Sequence, residues 1–180
     1  MTEFKSFNKI PRLNREIIIT EKIDGTNGQI CITEDGEFLV GSRNRWITPE
    51  NDNQGFARWA HENKEELMKL GAGNHYGEWW GQGIQRGYGL KEKRFSLFNV
   101  ARWTDDELRP KCCGVVPILY QGMFSELPIA NCLFDLKAFG SFAVEGFMKP
   151  EGIVIYHTAL GGYFKVTLEN DGMHKSEVTK

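Results

Sequence analysis

No apolar run in the sequence approaches the ~20 residues that a membrane-spanning helix needs. The first thirteen residues, MTEFKSFNKIPRL, lack the apolar core of a secretory signal. These absences lead us to expect a soluble, cytoplasmic protein with no membrane partner. Cysteine is scarce, with four residues, Cys31, Cys112, Cys113 and Cys132, none in a C-x-x-C pair. That argues against a zinc site and points to reduced thiols. The histidines are scattered, with no H-x-x-x-H. Positive charge is not in excess either: 22 Lys and Arg against 24 Asp and Glu leave a net charge of −2. Such a chain does not coat nucleic acid by bulk charge, so any contact with it requires a local basic surface. There is no repeat, no low-complexity tract and no Pro/Ser-rich linker, and 180 residues suit one domain with its own core.

What is present is a series of short strands joined by turns. EIIITEK at 16–22 is β-branched and reads as a strand. Residues 28–33 and 37–41 flank Asp35-Gly36 and predict a hairpin. Residues 53–70 predict a helix with Phe56, Trp59, Ala60, Leu67 and Leu70 near one face and Gly71 as its stop. HYGEWWG at 75–81 and RFSLFNVARW at 94–103 read as strands, followed by a helical turn capped by Thr104 and Glu107. VVPILYQG at 115–122 is extended, and Pro128 to Phe139 predicts a helix closed by Gly140. EGIVIYH at 151–157 and GYFKVTL at 162–168 predict a last hairpin around Gly161-Gly162, and a polar surface tail follows Glu169. Hairpins without regularly alternating helices argue for α+β with antiparallel sheets.

The chemistry begins at Glu21-Lys22-Ile23-Asp24-Gly25-Thr26-Asn27. A lysine stands where a strand ends and a turn begins, on a rigid support. Once deprotonated, such an amine can attack the α-phosphorus of a nucleotide. Alone, the segment reads equally as a surface lysine beside a turn. Further along, Gly41-Ser42-Arg43-Asn44-Arg45-Trp46 offers two guanidinium forks suited to phosphate or ribose oxygens. Gly77-Glu78-Trp79-Trp80-Gly81 sets a carboxylate among aromatics, where a ribose hydroxyl or an arginine would satisfy it. Phe95 and Phe98 are three apart in a strand and point to opposite faces, so at most one can stack on a base. Glu151, opening EGIVIY, is a reasonable magnesium ligand, and Lys165 in FKVT a phosphate partner. The basic, aromatic stretch GIQRGYGLKEKR at 83–94 reads either as a tracker of a nucleic-acid backbone or as a solvated loop.

Taken in order, EKIDGTN, GSRNRW, GEWWG, SLFN, EGIVIY and FKVT resemble the motif series of the covalent nucleotidyltransferases, which include DNA ligases, RNA ligases and mRNA capping enzymes. The G-T-N continuation is most similar to phage-type RNA ligases and kinetoplastid editing RNA ligases. The resemblance covers residues 16 to 168. It implies two antiparallel sheets packed with helices, with the nucleotide site between them. It also implies an ATP-dependent polynucleotide ligase, sealing RNA in preference to DNA, that uses Mg²⁺ with Mn²⁺ as a substitute. Lys22 would form lysyl-AMP and pass AMP to a 5′-phosphate end, which a 3′-hydroxyl then attacks. Glu21 would help recognise adenine, Asn27 would support the phosphates or the ends, Arg43 and Glu78 would contact the ribose, and Phe98 would stack on the base. Glu151 would bind the metal, and Lys165 would grip the α-phosphate as a second catalytic residue.

Two departures stand out. Ligases usually carry a second lysine where this chain has Thr167, and F-D where it has Phe98-Asn99. Arg45, Arg86 and Lys149 are the cations left to replace the missing charge. Few residues follow the last motif, so the expectation is one nucleotidyltransferase domain over 1–180, with no OB-fold or other C-terminal domain. Such a core leaves room for an end-healing or nucleic-acid-binding partner protein. The rival readings are a DNA ligase, a capping-type nucleotidyltransferase, or a degenerate, non-catalytic nucleic-acid-binding domain.

Overall fold

The computed structural model describes residues 1–172. The polar tail expected after Glu169 lies outside the described residues from 173 onward. Strand β1 (Glu16–Lys22) begins the fold and sits inside a four-stranded sheet of order β7-β1-β8-β9. Its neighbours β7 (Ile118–Met123) and β8 (Gly152–His157), and β9 (Gly162–Thr167) beyond β8, all run antiparallel. Alternation along β1 decides the layers. Ile17 and Ile19 are fully buried against Ile153, Ile155 and helix α4 (Glu126–Phe139), through Cys132 and Leu136. Each such side chain contributes about 1.5–3 kcal/mol. Ile18 points the other way, into a cluster with Ile23, Trp80, Tyr88, Val100 and Val116 that joins this sheet to the next.

The second sheet has the order β3-β2-β4-β5-β6. Its hairpin of β2 (Thr26–Ile32) and β3 (Phe38–Gly41) closes at Asp35-Gly36, and β4 (Gly73–Gly81) pairs on the other side of β2. β5 (Lys93–Leu97) follows antiparallel, whereas β6 (Cys113–Val115) pairs parallel to β5, an exception to the expected antiparallel pattern. Ile30, Ile32, Trp79, Phe95 and Leu97 turn one face of this sheet onto α1 (Phe56–Glu62) and α2 (Lys64–Leu67). The result is four layers: α4, first sheet, second sheet, α1 and α2.

Several sequence expectations need correction. The helix expected over 53–70 starts only at Phe56 and breaks at Asn63, whose side chain donates to the Trp59 carbonyl at 2.8 Å. It ends in a 3₁₀ turn, Met68–Leu70. The Asp52 carboxylate caps its start, accepting from Ala57 N at 2.7 Å and Arg58 N at 3.1 Å. The strand expected over 94–103 stops at Leu97. Asn99 then caps a helical turn, α3 (Val100–Trp103), accepting from Arg102 N. Asp105 rather than Thr104 caps the following turn, while the Thr104 hydroxyl donates back to the Val100 carbonyl. The segment 115–122 divides at Pro117 between the two sheets. All four cysteines are free. Among the described residues no helix is long and apolar enough to cross a membrane.

Candidate active site

β1 ends at Lys22 and β2 begins at Thr26, so the turn 23–25 carries the chain from one sheet to the other. That turn is held from three directions. The Asp24 carboxylate accepts from Arg86 Nε at 3.0 Å, and its main-chain N–H donates to the Tyr88 hydroxyl at 2.8 Å. Burial pushes the Tyr88 phenol above its ordinary value, which keeps it a neutral hydroxyl. Gly25 N–H donates to Glu78 Oε1 at 3.0 Å. Gly25 lies so close to β4 that a Cβ there would meet the Trp79 carbonyl oxygen at 2.4 Å. The K-x-D-G pattern thus describes a clamp: the aspartate ties the turn to the 82–92 loop, and the glycine lets it touch β4.

Lys22 Nζ lies 2.6 Å from Glu151 Oε2, with the lysine side chain 18% exposed and the glutamate 4%. The two meet because Lys22 pairs with Gly152 across β1 and β8. Gly152 has φ 154°, and a Cβ on it would come within 2.2 Å of the Val166 carbonyl. The E-G pair is therefore a backbone requirement as well as a source of a carboxylate. Cross-strand pairs share a face. The Thr20–Val154–Lys165 and Lys22–Gly152–Thr167 rows consequently set Lys22, Lys165 and Thr167 on one face of the first sheet. Lys165 is exposed there, while Thr167 donates its hydroxyl to the Glu169 carbonyl and its N–H to Asp171.

On the second sheet Asn27 pairs with Glu78 and joins two of the expected residues. Its amide nitrogen reaches Glu78 Oε2 at 3.4 Å, and its amide oxygen accepts from Arg43 Nε at 2.8 Å. Phe98 continues β5 opposite Tyr76, through a 3.0 Å bond from its N–H to the Tyr76 carbonyl. It stands half-buried on the Glu78 and Ser96 face. Phe95 lies on the other face, 4.9 Å from Phe56 in the aromatic core, whereas Phe98 packs against the cluster of Ile18, Ile23 and Trp80.

The structure thus brings together Lys22 with Glu151, and Gly25, Glu78, Asn27 and Arg43 in one network. The Glu21 carboxylate is elsewhere. It is buried and accepts from the Ser141 hydroxyl at 2.6 Å, Phe142 N–H at 2.7 Å and Ala143 N–H at 3.0 Å. Alternation puts it on the face opposite Lys22. Burial pushes its carboxyl above the ordinary value, outweighing the three hydrogen bonds that favour the ion. An acid with a raised folded-state pKa stabilises the fold fully below its unfolded value, and this contribution is lost as pH rises through the folded value. Denaturant titrations between about pH 4 and 8 should therefore show wild type losing stability relative to Glu21→Gln as pH rises. A difference that stays flat with pH would refute this.

Arg86 is no spare cation, because Nη1 also donates to the carbonyls of Lys149 at 2.9 Å and Pro150 at 3.3 Å. Tyr88 and Ile84 are buried and anchor the 83–94 stretch as a structural latch, while Gly83, Gln85, Gly89 and the charged end 91–94 are exposed. Asp24, Arg86, Tyr88 and Ser141 were not assigned these supporting roles from sequence. For Asp24 the signal was present in K-x-D-G, whereas Ser141 had none. Among the described residues no three His, Cys, Asp or Glu gather as a metal cage. A single buried carboxylate, Glu151, fits an ion whose remaining ligands are phosphate oxygens and water.

The RNA ligase family model matches residues 15–167. No curated protein matches the chain. Among solved structures the fold is similar to that of Naegleria gruberi RNA ligase. A mutant of that enzyme with ATP and Mn is 22% identical with a TM-score of 0.63, over 86% of this chain and 49% of that one. An apo mutant gives 23% and 0.64, over 86% and 50%. A mutant with AMP and Mn gives 21% and 0.64, over the same shares. The chain spans about half the length of these structures.

Proposed function

The chain belongs to the RNA ligase family, and from that premise we propose that it is the ATP-dependent core of a polynucleotide ligase acting on RNA in preference to DNA. The observation that carries this reading is the Lys22–Glu151 contact of 2.6 Å, at the point where the chain passes between the two sheets. Lys22 Nζ attacks the α-phosphorus of ATP. A P–N bond forms, the bond to pyrophosphate breaks, and the amine proton has Glu151 Oε2 as an acceptor within reach. AMP then moves to a 5′-phosphate end, and a 3′-hydroxyl displaces it to join the strands.

Every step gathers negative charge on phosphate oxygens, so cations should supply most of the rate. Lys165 serves the α-phosphate from the same face as Lys22. Arg43 and Glu78 hold the ribose and Phe98 stacks on adenine. Asn27 bears on the phosphates or the ends, with its own amide fixed by Arg43 and Glu78. Glu21 acts on adenine recognition through the 141–143 loop that its carboxylate holds and through its main chain. Mg²⁺ or Mn²⁺ bound through Glu151 would neutralise phosphate charge, and the ATP, AMP and Mn complexes of the Naegleria ligase support these cofactors. The reading implies a cytoplasmic protein, with end-healing left to a partner.

The test is intact-protein mass after pyrophosphate treatment and then incubation with ATP and Mg²⁺. A gain of one AMP, transferable to the 5′-phosphate of a nicked RNA duplex, is expected. No gain would leave a non-catalytic binding module.

A further inference from the structure

A polar pocket of about 300 Å³ opens beside the nucleotide face, lined by Thr26, Ser42, Arg43, Asn44, Arg45 and Asn53. Two guanidinium groups line it and no carboxylate does. Its walls are fixed by the fold. Ser42 N–H and Oγ both donate to the Arg45 carbonyl, at 2.9 Å and 3.2 Å, which closes the 42–45 turn. Opposite, Asn53 Nδ2 donates to Thr26 Oγ1 at 3.1 Å. The next residue, Gln54, has φ 55° and offers its carbonyl to Trp79 Nε1 at 3.0 Å and to Lys93 Nζ at 2.8 Å. The cations are largely uncommitted. Among the described residues the Arg43 guanidinium spends only Nε, on Asn27, and that of Arg45 makes one contact, a long 3.5 Å to the Asn51 carbonyl.

Thr26 and Asn27 are successive in β2 and point to opposite faces. The pocket therefore lies over the edge of the sheet from the Glu78–Asn27 face, while Lys22 and Lys165 stand on the other sheet. Arg43 joins the two regions. A rigid, acid-free pocket with free guanidinium donors suits a phosphate oxygen pair. Its position outside the ATP face makes the polyphosphate of ATP the poorer occupant.

We propose that this pocket seats a backbone phosphate of the polynucleotide strand, beside the end being joined. The inference rests on the ligase reading. The probe is a labelled nicked RNA duplex with a 5′-phosphate at the nick, bound by wild type, Arg45→Ala and Arg45→Lys and followed by anisotropy at several salt concentrations. Loss of one phosphate contact should reduce the slope of log affinity against log salt by about 0.7–0.9 in Arg45→Ala. Arg45→Lys should retain most of the slope. An unchanged slope in Arg45→Ala overturns the proposal. So does a changed ATP dependence of lysyl-AMP formation with unchanged RNA binding, because the pocket would then serve ATP. If wild type binds the duplex but never forms lysyl-AMP, the ligase reading fails, and the slope still judges the pocket.

Discussion

Lys22→Ala is expected to gain no AMP under conditions that label wild type fully, because the proposed nucleophile is lost and alanine carries no amine in its place. The substitution has a second consequence. Glu151, with its side chain 4% exposed, loses the ammonium 2.6 Å away. Breaking a fully buried ion pair costs about 3–5 kcal/mol. Lys22 is 18% exposed, so water softens the loss, to about 1–3 kcal/mol. A negative result for Lys22→Ala alone could thus reflect weakened folding. Lys22→Arg separates the two effects. It keeps the positive charge beside Glu151, yet a guanidinium stays protonated and is no nucleophile. The expected pattern is a folded Lys22→Arg protein, with wild-type-like denaturant stability and no covalent AMP. Labelling of either variant at the wild-type level would remove Lys22 from the chemistry.

Lys165→Ala should lower the rate of lysyl-AMP formation by about 10²–10³-fold, the usual effect of losing a group that stabilises transition-state charge. The ATP concentration for half-maximal rate should change much less. This split follows if the ammonium meets the α-phosphate most strongly as pyrophosphate leaves. The position two residues on, where ligases usually carry another lysine, is Thr167. It is tied to the Glu169 carbonyl and to Asp171, which leaves Lys165 without that neighbour's help and argues for the upper end of the range. Single-turnover measurements at saturating ATP would show the loss. A defect confined to ATP affinity would make Lys165 a binding residue only. The stability of Lys165→Ala should match wild type, because the side chain is exposed.

How much of this was legible beforehand depended on how local its causes were. The strand 16–22, the hairpin about Asp35-Gly36 and the last hairpin about Gly161 follow from β-branched alternation and turn residues close in sequence, and the structure has them with boundaries shifted by two residues or fewer. The order of the motifs was legible for the same reason, since each sits at the end of such an element. The breaks were not. Asn63 interrupts one helix and Asn99 turns a strand into another, because an asparagine amide competes with the regular backbone pattern only where neighbouring packing favours the change.

From sequence alone came the identity of the reactive groups: one lysine at a strand end, a carboxylate heading another strand, and arginines on a hairpin. Only the tertiary structure decided which of them meet. Strand register put Lys22 opposite Gly152 and so against Glu151, and it put Asn27 opposite Glu78. Alternation sent the Glu21 carboxylate to the far face, and a partner 62 residues away committed Arg86 to Asp24. Residue types and their spacing limit what chemistry is available. Pairing between strands distant in the chain determines which side chains share a face, and so which of them can act together.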